Sequence, residues 1–187
     1  MTRAFFAAPI PASARFSTIA SVFLGALALG VPFATVHSQI NYARYKPGTI
    51  AAVMQLHDST IRADHVPNHP GLIVSGDDFP TMTRVIYRGD SRPLSPRRVD
   101  VVKHWGMTFR KDSTIVNDFH REYLFQEGKN LLWLPVQDTV ASFFPRELHP
   151  GQTVTLYVVW FGAYYAGEDI TWAFIVNEFT AEQEEKK

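Results

Sequence analysis

Three of the seven histidines lie close enough in the chain to suggest metal binding. His57, His65 and His69 fall within 13 residues, with two aspartates between them. Two histidines spaced four residues apart hold a metal ion when both project from one face of a helix. His65 and His69 have this spacing, but Pro67 lies between them and Pro70 follows directly. Proline does not fit a helix interior. We therefore predict no metal site in this segment.

Hydrolysis is the other chemistry that the residue types suggest. A serine nucleophile would need the sharp G-x-S-x-G turn, which the sequence lacks. Paired carboxylates would have to face each other across one cleft. Glu122, Glu127 and Glu147 offer carboxylates, but their positions predict a strand edge, a turn and the end of a short helix. We therefore expect no catalytic residues, no cofactor and no bound metal, and an uncharacterised hydrolase is the weakest functional hypothesis. Alanine at His120, Glu122 and Glu147 would test for a hydrolase.

The most unusual polar feature is a cluster of five arginines within 15 residues, opposed only by Asp90. Its members are Arg84, Arg88, Arg92, Arg97 and Arg98. A guanidinium group binds carboxylates and phosphates through two parallel hydrogen bonds. We predict that these side chains contact a partner's carboxylates or lipid phosphates, the alternative being a solvated loop.

Aromatic residues make up 13% of the chain, more than one small core needs. Tyr164 and Tyr165 stand at the end of a predicted strand, just before a turn that contains Gly167. Tyrosine, tryptophan and arginine concentrate binding energy in protein interfaces. We therefore add Tyr164 and Tyr165 to the predicted contact residues, while noting that a sugar-stacking platform would use the same side chains.

Composition excludes several classes of protein. The 187 residues carry 18 basic and 18 acidic side chains and no cysteine. Without cysteine there is no disulfide-linked partner, no thiolate metal site and no lipidated cysteine. A nucleic-acid-binding protein would present a strongly basic face, and nothing in the charge balance indicates one.

The first 38 residues form a separate segment that predicts export. Residues 16–36 contain no charge, and Arg3 and Arg15 precede them, which is the layout of a signal peptide. In one interpretation residues 19–30 form the apolar region and cleavage follows Ser38. In the other, residues 16–36 stay as a single membrane anchor, since about 20 residues span a bilayer. Either way we expect the remainder to be extracytoplasmic, in a bacterial periplasm, released or tethered.

The remaining chain is predicted to form one domain of short strands. We expect a linker at residues 39–48, a β domain at 49–180 and a charged tail at 181–187. Strands are predicted at 49–56, 60–66, 72–75, 82–87, 98–105, 120–126, 130–136, 153–165 and 170–180. Residues 88–97 are predicted to be a loop, and residues 137–148 the one helical piece after the N-terminal apolar helix.

Strand spacing and turn residues favour an all-β fold, an antiparallel β-sandwich or a small barrel of about eight strands. Within residues 153–161, Val154, Leu156, Val158 and Trp160 share one face, and the opposite face is also largely apolar. A strand that is apolar on both faces is expected at the centre of the sheet, covered on both sides.

The leading functional hypothesis is a non-catalytic extracytoplasmic domain that acts by contact. It would serve as an accessory subunit that braces a larger bacterial membrane complex, respiratory or photosynthetic, or would dock on the membrane surface. The alternative is a secreted module that binds glycans or lipids.

Overall fold

The computed structural model of the protein describes residues 41–64 and 69–182. The predicted N-terminal helix and the cleavage site near Ser38 lie outside these ranges. Residues 183–187 of the predicted tail also lie outside them. Within the two ranges, no helix combines the length and the apolar composition that a membrane crossing needs.

Strands make up 44% of the described residues and helices 33%. The strands are β1 (Lys46–Pro47), β2 (Gly71–Val74), β3 (Thr81–Pro93), β4 (Arg121–Glu127), β5 (Asn130–Val136), β6 (Thr153–Ala166) and β7 (Asp169–Ala181). The helices are α1 (Ile50–Asp64), α2 (Pro96–Trp105), α3 (Asp138–Ala141) and α4 (Phe144–Glu147). Short turns of 3₁₀ helix lie at Tyr42–Arg44 and Thr114–Asp118, and a π-helical turn at Gly106–Arg110.

Five of the strands close into a barrel in the order β3, β4, β5, β7, β6 and back to β3. β1 adds to β3 in parallel, and β2 adds to the distal half of β6. The predicted β-rich domain is thus confirmed, and the barrel that it contains corresponds to the alternative rather than to the sandwich. The all-β class is met only in part, because a third of the described chain is helical.

The two predicted hairpins at the carboxyl end are confirmed. β4 pairs with β5 across Glu127 and Asn130, and β6 pairs with β7 across Ala166 and Asp169. The predicted loop at residues 88–97 is wrong for most of its length, because β3 continues to Pro93 by pairing with β4.

Helix α1 replaces the two strands predicted at 49–56 and 60–66. Ile50, Val53, Met54, His57 and Ile61 follow the i, i+3, i+4, i+7, i+11 spacing of a helix face, and all five are buried or half-buried. His57 is polar and interrupts the apolar periodicity of this face. In the sequence, residues 57–59 are therefore typical of a turn. The structure therefore corrects both predicted strands to one helix.

Helix α2 replaces the strand predicted at 98–105. Its buried residues Val101, Val102 and Trp105 have the spacing of a helix face. The alternation of Val99 and Val101 with polar residues is also typical of a strand, which explains the wrong prediction. Pro96 opens the helix, a position where proline is favoured because its missing N–H leaves no bond unmade. That proline was the signal for a helix start.

The helix predicted at 137–148 is present in two pieces. α3 and α4 are separated at Ser142 and Phe143. Pro145 lies in the first turn of α4 rather than ending the helix.

The core lies on both sides of β6. An inner core fills the barrel and includes Val154, Leu156, Val158 and Trp160 of β6 together with residues of α1, α3 and α4. An outer core lies between the sheet and α2 and includes Val159 and Phe161. The predicted central position of this strand, covered on both faces, is confirmed.

Gly162 allows β2 to approach β6. Its φ of +150° is disfavoured for other residues, and a Cβ at this position would lie 2.0 Å from the carbonyl oxygen of Ile73. The close approach seats β2 beside α2, where part of the candidate site forms.

Glu127 fixes α1 to the barrel. Its buried carboxylate accepts hydrogen bonds from the backbone N–H groups of Ile50 (2.8 Å) and Ala51 (2.9 Å) and from the Thr83 hydroxyl (2.7 Å). The first N–H groups of a helix have no partner within the helix and attract negative charge. A carboxylate from the barrel therefore caps the helix.

His57 holds the middle of α1 against the inner core. Its ring stacks on Trp160 with centroids 4.0 Å apart and meets the edge of Phe79 at 4.5 Å. Among the described residues, its Nε2 atom has no hydrogen-bond partner. Burial lowers the pKa of His57 from its ordinary value, and the charge of Asp77 only partly opposes that shift.

We expect His57 to make the domain less stable in mild acid. Because the folded state lowers the pKa, neutral His57 contributes fully above the ordinary histidine pKa of about 6.5, and the contribution is lost as pH falls through the folded-state pKa. The difference in unfolding free energy between the wild type and His57→Phe should shift in favour of the variant as pH falls. Chemical denaturation at a series of pH values measures this, with exposed His149→Asn as the control. Parallel wild-type and His57→Phe profiles would contradict the assignment.

Candidate functional site

The predicted contact residues are divided among several places. Arg84 forms an ion pair with Glu182, and Arg88 is exposed on the far part of β3. Tyr165 packs against the inner core, where its ring covers Gly71. These residues lie apart from the N-terminus of α2, where the other predicted residues gather.

Arg92 and Arg98 converge on Glu122, which is fully buried. Arg92 Nε and one terminal nitrogen of Arg98 each lie 2.5 Å from a different oxygen of the carboxylate. Arg98 also donates to the carbonyl oxygen of Trp172 at 3.0 Å. Burial lowers the pKa of Arg98 from its ordinary value, while the Glu122 charge acts to raise it. This cluster fastens α2 to the barrel, because Glu122 and Arg98 would each be a buried charge without the other, whereas Arg92 is about half exposed.

Arg97 is placed differently from Arg98, although the two are adjacent in the chain. Its guanidinium lies 5.4 Å from the ring centroid of Tyr164 and reaches the Thr171 hydroxyl at 3.3 Å. The structure therefore brings together Arg97 and Tyr164, two of the predicted contact residues.

A groove runs along α2 beside this pair. It has a volume of about 390 Å³ and is lined by Leu72, Asp100, Lys103, His104, Met107 and Tyr164. Tyr164 is its aromatic residue, and Asp100 and Lys103 give it charges of both signs. Such a surface suits a protein contact better than a small apolar ligand.

The π-helical turn that follows α2 extends this surface with two exposed apolar side chains. Met107 is 50% exposed and Phe109 is 43% exposed. The turn is held from beneath by Trp105, which stacks on Phe161 at 3.9 Å and donates its indole N–H to the carbonyl of Ser75 at 3.0 Å. π-helical turns are rare and often lie at functional sites.

We call the groove and the exposed side chains of the turn the α2 face. Sequence reasoning missed Met107 and Phe109, since the segment was assigned to no element. Their signal is two large apolar residues between Gly106 and the Arg110–Lys111 pair.

A second concave region lies between β5 and β7. These strands pair, in parallel, only at Val136 and Val176. On the amino-terminal side of Val136 and Val176, β5 and β7 do not pair, and a cavity of about 330 Å³ lies between them. We call this cavity the β5–β7 slot.

Apolar side chains form most of the slot. Leucines and Trp133 of residues 131–134 line one wall, residues 170–172 and Phe174 the other, and Ile50 and Met54 of α1 the floor. Ser95 and the arginines 92, 97 and 98 stand at the mouth.

The residues weighed for hydrolysis are not brought together. His120 bonds to Asp138, Glu122 is engaged by arginines, and Glu147 is exposed on α4. In residues 41–64 and 69–182, no three histidine or acidic side chains are grouped closely enough to hold a metal ion. His57 is stacked in the core and His65 lies outside the described ranges.

Comparison with known proteins identified no relative. No family model, curated protein or solved structure matches the chain. A functional proposal therefore rests on the residues and their geometry.

Proposed function

We propose that this protein is a non-catalytic interaction domain that contacts a protein partner through the α2 face. The observation that carries the proposal is the exposure of Met107 and Phe109 in the turn after α2, where Met107 lines the same groove as Tyr164. Aromatic residues, methionine and arginine are the types enriched in protein interfaces.

Met107 and Phe109 expose apolar area that a partner could bury. Burying apolar surface contributes about 25 cal/mol per Å², and Met107 and Phe109 leave that contribution unrealised in the free domain. The rigid support from Trp105 reduces the ordering that binding requires. The α2 face is thus suited to supply a small, preorganised centre of an interface.

Lys103 and Arg110 together outnumber Asp100 among the charges next to that centre, so the partner surface we propose is apolar at its centre and acidic at its rim. Charges at a rim act mainly on the rate of association and on orientation. Together with the export segment in the sequence, this supports an accessory subunit of a bacterial membrane complex, respiratory or photosynthetic, held outside the cytoplasm.

The double variant Lys103→Glu, Met107→Ser tests this proposal. We expect the wild-type chain to copurify with a membrane complex after mild detergent extraction, and the variant to do so at least roughly tenfold less, since two central side chains of an interface carry several kcal/mol. The matched control, Arg88→Glu with Leu56→Ser, changes one exposed charge and one exposed apolar residue elsewhere.

Thermal unfolding checks that both double variants are as stable as the wild type. Recovery of the wild type only as a free monomer, or equal copurification of both variants, would overturn the assignment of the α2 face.

A further inference from the structure

The β5–β7 slot differs from the α2 face in shape and in chemistry. Its walls are formed by side chains such as Leu132, Trp172 and Phe174, which continue into the inner core. A volume of about 330 Å³ is at the lower end of the range for small-molecule sites, about 300–1,000 Å³. The slot therefore fits one narrow apolar group.

The mouth of the slot selects for negative charge. Three guanidinium groups stand there with one carboxylate, Glu122, so the cluster has a net charge of +2. Arg98 is taken up by Glu122 and by the carbonyl of Trp172. The positive charge left for a ligand belongs to Arg92 and Arg97.

Both of these arginines have donors to offer. Arg92 bonds with Glu122 through Nε, and in the part of the chain that the structure describes its terminal nitrogens have no acceptor. Its guanidinium lies 4.1 Å from the ring centroid of Trp133, which holds it at the mouth. Within the described ranges, the one hydrogen bond of Arg97 is its 3.3 Å contact with the Thr171 hydroxyl, and its guanidinium also lies over the ring of Tyr164. Two guanidinium groups can bind a carboxylate or phosphate at several oxygens.

We propose that the β5–β7 slot binds a single-chain anionic amphiphile, with the chain between β5 and β7 and the anionic head on Arg97 and Arg92. The charge at the mouth is complementary to the head, and the apolar walls to the chain. A neutral chain of equal length lacks the head contact, and a volume of about 330 Å³ leaves no room for a second chain. The proposal stands independently of the α2 face.

Site-resolved photolabelling tests the proposal on the full chain in any detergent or bilayer, because the labelled residues identify the site. The probe is dodecanoate with a diazirine at its terminal carbon, and the matched probe is the corresponding alcohol. We expect the carboxylate to label residues 131–134 or 170–174, and unlabelled dodecanoate and dodecyl phosphate to compete with it.

Two substitutions define the contributions of head and chain. Arg97→Gln should reduce labelling by the carboxylate roughly fivefold or more, since a charged hydrogen bond is lost, and should leave labelling by the alcohol unchanged. Arg88→Gln, an exposed arginine outside the slot, is the matched control. Leu132→Trp, or Ile170→Trp if the first variant unfolds, should abolish labelling by filling the slot.

Equal labelling of the slot by the alcohol and the carboxylate would overturn the anionic class. Unchanged labelling in both tryptophan variants, or no labelling of either strand, would overturn the site itself. The Lys103→Glu, Met107→Ser variant should label like the wild type, so failure of the slot and failure of the α2 face are distinguishable.

Discussion

Replacement of Glu122 by alanine is expected to lower the free energy of unfolding by about 3–5 kcal/mol, the range for removing one partner of a buried ion pair. Glu122 is fully buried, and its loss leaves Arg98 in the interior with only its bonds to a carbonyl oxygen and a serine hydroxyl. Chemical denaturation measures the change. Glu122→Gln should be less harmful, because the amide oxygen still accepts one hydrogen bond.

A double substitution that removes Glu122 and Arg98 together gives a sharper test. Removing both charges, as in Glu122→Leu with Arg98→Met, should be much less destabilising than the sum of the two single changes, because no unpaired buried charge remains. Glu147→Ala, at an exposed site, should change stability by no more than about 0.5 kcal/mol. A loss below about 1 kcal/mol for Glu122→Ala would show that the cluster does not fasten α2 to the barrel.

Replacement of Glu127 by alanine is expected to lower the free energy of unfolding by about 3 kcal/mol, since hydrogen bonds to a charged group contribute about 1.5–3 kcal/mol and a helix cap is lost as well. The amide protons of Ile50 and Ala51 should also exchange faster with solvent, because their acceptor is removed. Hydrogen exchange resolved by residue, together with denaturation, measures both effects.

Glu127→Gln should lie between the wild type and the alanine variant, since it keeps one acceptor oxygen but not the charge. Glu168→Ala is the control, because that side chain is 91% exposed. Normal protection at Ile50 in Glu127→Ala would contradict the capping role and would place the stability of α1 in its apolar contacts alone.

Strands and turns were predictable where the local pattern agrees with the fold. The hairpins of β4 with β5 and of β6 with β7 have alternating side chains and short turns with glycine, so the sequence alone located them. Helix α1 was not predictable in the same way, because His57 occupies its apolar face and the partner of that histidine, Trp160, is distant in the chain.

The candidate site shows the same limit. Clustering of arginines in sequence drew attention to the start of α2, but neighbouring arginines have different partners. Arg98 binds Glu122, whereas Arg97 lies over Tyr164. The partner of each arginine depends on how the strands pair, which the local sequence does not show. Met107 and Phe109 were missed, because their exposure depends on the π-helical turn.

Site-specific crosslinking in intact membranes tests the central claim most directly. A photoreactive amino acid at position 107, in the middle of the α2 face, should yield one discrete crosslinked product with a membrane-complex subunit, while the same residue at position 88 yields none. No product from position 107, or the same product from both positions, would contradict the claim that this face is the contact surface.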